Sequence, residues 1–180
     1  MTVTDQKGLA KDRILEWSIS AESFLETASV QQNESILWIG SASTPSLTRW
    51  VSERTQITVI SPSLFTSKKS QFDVAAAQLG IHFLDEGEEW LRKSFHLLKP
   101  GGRLIIDLAE AITLENIEGK NYIKSLPDYW DLLREIGFEA IFVQQITVRS
   151  LAEAMEQGWI ELTERAMFPA VVNRFIALKG

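Results

Sequence analysis

The sequence predicts an α/β domain: a mostly parallel β-sheet with helices on both faces and an antiparallel strand at the C-terminus. Three observations carry this prediction. Short apolar, β-branched runs alternate along the chain with amphipathic stretches at helical spacing. Lys99, Pro100 and Gly101 stop one helix and release the chain directly into a buried run, Arg103 to Leu108. Two hydroxyl-x-x-carboxylate patterns, SLPD and SLAE, then open further helices in the second half.

In chain order, LAKDRILEWSISAESFLETAS carries Leu9, Ile14, Leu15, Trp17, Ile19, Phe24 and Leu25. This spacing predicts one or two amphipathic helices, so residues 1–34 are expected to form a helical segment packed on the main domain. Ser35 to Ile39 is the first strand, Thr48 to Glu53 a short helix, and Gln56 to Ser61 a β-branched strand ended by Pro62. Gln71 to Leu79 is the next apolar run, and Leu91, Phe95 and Leu98 repeat at helical spacing. Ser125 to Asp128 caps a helix whose apolar face holds Tyr129, Leu132, Leu133 and Ile136; Gly137 closes it, and FEAIFVQQITV follows as a strand. Ser150 to Glu153 caps another helix, with Leu151, Met155, Trp159, Leu162 and Ala166 as its stripe. VVNRFIALK is the last strand. There is no repeat and no low-complexity linker, so residues 1–180 read as one domain.

Composition narrows the function. A chain of 180 residues, 45% apolar and 23% charged, is long enough for one substantial core. The net charge of -6 argues against a nucleic acid or anionic membrane partner, either of which needs a basic patch. The absence of cysteine excludes disulfides and thiolate chemistry and fits a cytoplasmic location. Two histidines, His82 and His96, make a His-rich metal site unexpected. No apolar run reaches the length of a membrane span.

Phe72 to Glu110, FDVAAAQLGIHFLDEGEEWLRKSFHLLKPGGRLIIDLAE, resembles the central segment of class I S-adenosylmethionine-dependent methyltransferases, in particular the type 11-like group. Tyr129 to Gln145, YWDLLREIGFEAIFVQQ, is similar to that family's later helix and strand, and RFIALKG to its last strand. The resemblance implies a Rossmann-like methyltransferase fold. It also implies a cofactor turn after the first strand, where ILWIGSASTPSL stands here. Matched to the family's acidic residue and three glycines, Gly40 keeps the first glycine, while Trp38 replaces the acidic residue and Ala42 and Thr44 the other glycines. A β-branched Thr44 disfavours positive φ, and the Ala42 methyl occupies space that a close ligand would need. The carboxylate expected to hold the ribose, at the end of the second strand, is Ser61. Between Ile60 and Phe72 only SPSLFTSKKSQ intervenes, so the family's third strand and its preceding helix are predicted to be missing. Lys68 and Lys69 would then discourage pairing at an exposed sheet edge.

Other features carry a functional and a structural reading side by side. His82 lies just past a strand's C-terminal end, where open α/β sheets place ligands, and its type suits a general base; an exposed or structural loop histidine is the plain alternative. Asp107 and Glu110 at the end of the next strand are candidates for a carboxylate pair, or for capping of the following loop. Trp38 is a candidate to fill cofactor space, while most of the six tryptophans read as core.

Two functions follow. The first is a degenerate methyltransferase-like domain, a pseudoenzyme that does not bind S-adenosylmethionine in the usual way, carries no cofactor and acts as a binding or scaffold protein for a protein partner or small molecule. In kind it resembles the N-terminal methyltransferase-like domain of anamorsin. The alternative is an active small-molecule methyltransferase with an atypical S-adenosylmethionine site, with Gly40, Ser41 and Ser61 at the cofactor and His82 or Asp107 as catalytic residues near the substrate.

Overall fold

The structure is a computed structural model that describes residues 4–5, 13–17, 24–31, 33–39, 57–60, 71–157, 159 and 166–180. Among the described residues, eight strands form one sheet: β1 (Thr4–Asp5), β2 (Arg13–Trp17), β3 (Ile36–Ile39), β4 (Ile57–Ile60), β5 (Phe72–Gln78), β6 (Leu98–Ala109), β7 (Ala140–Val148) and β8 (Ala170–Leu178). Their order across the sheet is β1-β2-β7-β8-β6-β5-β3-β4. Strands β4, β3, β5 and β6 run parallel, and β8 is antiparallel to both β6 and β7. The antiparallel C-terminal strand therefore sits inside the sheet, not at an edge.

Strand alternation sends Leu37, Ile39, Ala75, Ala77, Leu104 and Ile106 to one face. There they meet Trp90 and Leu91 of α2 (Gly87–Leu97) and Tyr129, Trp130 and Leu133 of α3 (Leu126–Ile136). The opposite face places Ile36, Trp38, Val74, Ala76 and Ile105 against Phe24 of the short α1 (Phe24–Thr27), Ala28 and Val30. Toward the C-terminal ends of the strands, Ala154 of α4 (Leu151–Gln157) and Trp159 pack with Leu79, Ala109, Val148 and Val172. Arg103 ties the segment after α1 to the sheet: it donates to both carboxylate oxygens of Glu34 at 2.8 and 2.7 Å and to the Ala28 carbonyl at 2.7 Å.

Among the described residues β4 is the terminal strand of its edge, and only residues 61–71 lead from it over β3 to β5. A single parallel crossover already takes about a dozen residues, so this connection has no room for a second strand and helix. The sheet is truncated where the spacing predicted.

Two expectations are corrected. Residues 13–17 are not helical: they form β2, parallel to β7. The apolar positions 14, 15 and 17 suit either period, and the otherwise unpaired outer edge of β7 supplies a ladder of hydrogen bonds that an isolated helix face does not. The stripe from Leu151 to Ala166 is not one buried helix face either. Among the described residues, α4 ends at Gln157, Leu151 and Met155 are exposed and Ala154 and Trp159 are buried, while Leu162 lies outside the described residues.

Candidate functional site

Three of the residues that the sequence singles out, His82, Asp107 and Glu110, lie at or just beyond the C-terminal ends of β5 and β6. The chain leaves β5 through Leu79, a fully buried non-glycine residue at φ 60, whose N–H donates to the Asp107 carbonyl at 3.0 Å. This left-handed turn swings Gly80–Phe83 back over the sheet and buries His82 completely. The His82 Nδ1 lies 2.8 Å from the Tyr122 carbonyl, so it carries the proton and donates; Nε2 then accepts from the Ala109 N–H at 2.8 Å. The His82 carbonyl accepts in turn from the Asn121 and Tyr122 N–H groups. Burial pushes its pKa down to about 4, against a small upward pull from the Tyr122 carbonyl. Both ring nitrogens are occupied, so the general-base expectation gives way to a structural role: the ring clips the loop after β6 to the sheet.

Asp107 is likewise fully buried. Its carboxylate accepts from Arg174 Nε at 2.7 Å, Arg174 Nη2 at 3.0 Å and Trp159 Nε1 at 2.7 Å. Arg174 also donates through Nη1 to Thr27 Oγ1 at 2.9 Å, and its guanidinium lies over the rings of Phe24 and Trp159. Asp107 is thus the anion of an internal ion pair and does not join Glu110. Three residues further along the chain, Glu110 accepts instead from Gln145 Nε2 at 3.2 Å. The same Gln145 nitrogen donates to Asn173 Oδ1 at 3.1 Å.

Beside Glu110 and Asn173 opens a cleft of about 430 Å3 between the end of β6 and the start of α3. Leu108, Ala111, Ile112, Leu126 and Pro127 give it apolar walls, and Tyr129 lies in its lining. The Tyr129 hydroxyl accepts from the Lys124 N–H at 3.0 Å. Desolvation pushes its pKa up to about 12, so it stays a hydrogen-bond donor. Ser125 starts α3 as its N-cap, with its hydroxyl accepting from the Asp128 N–H at 3.3 Å.

Trp38, at the position matched to the family's acidic residue, is fully buried on the sheet face. Its ring meets Phe24 edge-on, with centroids 5.7 Å apart. It is a core residue of that face. Gly40, Ser41 and Ser61, with Ala42, Thr44, Lys68 and Lys69, lie outside the described residues.

Sequence reasoning missed Gln145, Asn173, Tyr129 and Arg174 as site or anchoring residues. A signal existed: QQ within AIFVQQITV and NR within AVVNRFIAL interrupt otherwise apolar strands, and polar residues at buried strand positions require partners.

The fold is that of class I S-adenosylmethionine-dependent methyltransferases. This chain is similar to a methyltransferase of that kind from Thermotoga maritima, at 17% identity over 87% of each chain, with a TM-score of 0.58. It is also similar to a methyltransferase from Archaeoglobus fulgidus, at 11% identity over 87% of this chain and 91% of that one, with a TM-score of 0.57. The [4+2]-cyclase SpnF shares the fold at 16% identity over 84% of this chain and 76% of that one, with a TM-score of 0.58. No protein-family model matches the sequence, and no curated protein matches it.

Proposed function

We propose that this domain keeps a methyltransferase-like fold but acts by binding, without S-adenosylmethionine in the usual site. The observation that carries this reading is the truncated edge: β4 is the last strand of its side among the described residues, and residues 61–71 leave no room for the strand and helix beyond it. Two features of the residues support it. At the position of the family's acidic residue stands Trp38, a hydrogen-bond donor only, buried under Phe24. At the sheet's C-terminal edge, His82 and Asp107 spend their polar atoms on the protein itself. On this reading, Trp38, His82 and Asp107 offer the cofactor no free carboxylate or imidazole nitrogen.

The competing reading is a small-molecule methyltransferase with an atypical cofactor site. It is favoured by the fold and by the cleft at the strand ends, because methyl transfer requires chiefly alignment and proximity. Thermal unfolding with and without about 1 mM S-adenosylmethionine or S-adenosylhomocysteine, checked by calorimetric titration, separates the two. The expected result is no shift and no heat. Ligand at 100 times its dissociation constant adds about 2.7 kcal/mol, roughly 5 to 10 °C in a domain of this size. A shift of that order overturns the binding-only reading and makes methyl transfer the first activity to assay.

A further inference from the structure

Among the described residues, the large apolar side chains that stand exposed are Ile112, Leu151, Met155 and Met167, between 41% and 67% accessible. All four belong to one end of the sheet, where β6 and β7 finish and β8 starts. Ile112 precedes Thr113, whose hydroxyl accepts from the Val171 N–H of β8 at 3.0 Å. Leu151 and Met167 each lie three residues from the Val148–Ala170 pair that closes the β7–β8 ladder, a reach of at most about 11 Å between Cα atoms. Met155 is one turn beyond Leu151 on α4. Their neighbours Leu114, Ala154, Ala166 and Phe168 pack in a single cluster beneath them. Exposed apolar residues scattered singly are ordinary, but a gathering at one end calls for an explanation. The charges of the same segments are mostly of one sign. Residues 110–118, 149–157 and 166–171 carry Glu110, Glu115, Glu118, Glu153 and Glu156 against Arg149. Lys120, just beyond, donates its ammonium to the Glu115 and Ile117 carbonyls. The start of β8 offers no strand edge, because β6 and β7 pair with it on either side.

We propose that this end of the sheet docks a basic amphipathic helix of a partner protein, with the helix's apolar face on Ile112, Leu151, Met155 and Met167 and its cations toward the surrounding carboxylates. Leu151 and Met155, four residues apart on α4, form a ridge of the kind another helix packs against. Methionine, flexible and polarisable, adapts well to such a face. With no free edge at β8, strand addition is not the mode of contact. A second copy of this chain, with its net charge of -6, would meet like charge here, and so would an anionic membrane. The inference rests on the reading that the domain acts by binding and gives that reading a class of partner.

The test is calorimetric titration of the full chain with an amphipathic Leu/Lys helix of about 14 residues. Two controls run alongside: a peptide of the same composition with its leucines spread around the helix, and a Leu/Glu counterpart. The Leu/Lys helix is expected to bind in the micromolar range, and each control at least about tenfold more weakly. Ile112→Lys and Met155→Lys, both at exposed positions, are each expected to weaken the Leu/Lys helix about tenfold. Glu135→Gln, which changes the net charge by the same amount at the exposed far end of α3, is expected to leave it unchanged. Equal binding of the three peptides, an equal loss in all three variants, or no heat with about 0.1 mM Leu/Lys helix overturns the proposal. So does dimerisation in sedimentation that Met155→Lys abolishes, which would give the patch to a second copy. The peptide series on the wild type decides the matter even if a variant does not fold. S-Adenosylmethionine in a parallel titration keeps the two failures apart: a response to it sinks the binding-only reading, while silence from it and from the Leu/Lys helix sinks this surface alone.

Discussion

At the scale of single residues, His82 shows how a titratable group becomes a structural clip. Its neutral ring is used at both ends, by the Tyr122 carbonyl and the Ala109 N–H, and a second proton would remove the acceptor that Ala109 needs. The ordinary value near 6.5 describes the unfolded chain, and the folded value is pushed down to about 4 by burial. The unfolded state therefore binds the proton first as pH falls. The stabilisation is complete above about pH 6.5 and is lost progressively toward pH 4, amounting to about 3 kcal/mol. Glu34, held below the usual carboxylate range by the Arg103 guanidinium, adds a separate loss at lower pH. Urea unfolding of the wild type and of His82→Asn across pH 4 to 7 isolates the histidine: the variant is expected to be less stable at pH 7 and to show a flatter slope between pH 6.5 and 4. Identical slopes would mean that the ring is not buried neutral. From sequence alone His82 read as a candidate base, because proximity to a strand end is visible in one dimension and the carbonyl it meets, 40 residues later, is not.

At the scale of elements, local signals were reliable wherever the backbone itself made the demand. Lys99-Pro100-Gly101-Gly102 form the start of β6 directly after α2, with Gly101 at φ 77, and a Cβ on Gly102 would come within 2.8 Å of the Lys99 carbonyl. Around a Cβ on Gly101 there is open space, so Gly101→Ala is expected to cost only the left-handed penalty of about 1 kcal/mol. Gly102→Ala, which meets backbone, is expected to cost more. Chemical denaturation of the two variants tests this order, and a larger loss at Gly101 would contradict the geometry. The end of α2 gains a partner no local pattern announces: Lys179 Nζ donates to the Phe95 and Leu98 carbonyls at 2.7 Å, a cation at a helix C-terminus. The N-cap of α3 at Ser125 was legible for the opposite reason, since its hydrogen bond spans three residues. Residues 13–17 were misread because their apolar spacing fits both periods and the open edge of β7, far away in sequence, made the choice.

For the whole molecule, one buried ion pair joins distant parts of the chain. Asp107 on β6 and Arg174 on β8 are cross-strand partners, and through Thr27 and Trp159 they tie α1 and the segment after α4 to the sheet. Asp107→Ala leaves the Arg174 charge buried and unpaired, and it is expected to cost about 3 to 5 kcal/mol. The double variant Asp107→Leu with Arg174→Met is expected to recover much of that loss. Equilibrium unfolding of the single and double variants measures the coupling, and additive losses would mean that the pair does not act as a unit. The sequence by itself determined the α/β class, the mostly parallel sheet and the missing edge strand, because apolar period, caps, stop signals and connection lengths are short-range quantities. Only the tertiary structure decided that β8 lies inside the sheet, that His82 and Asp107 are internal, and that Glu110, Asn173 and Tyr129 line one cleft, with Gln145 bridging the first two. Each of these depends on pairing between strands or on contacts across tens of residues, and it is the sheet that brings such residues within hydrogen-bonding distance.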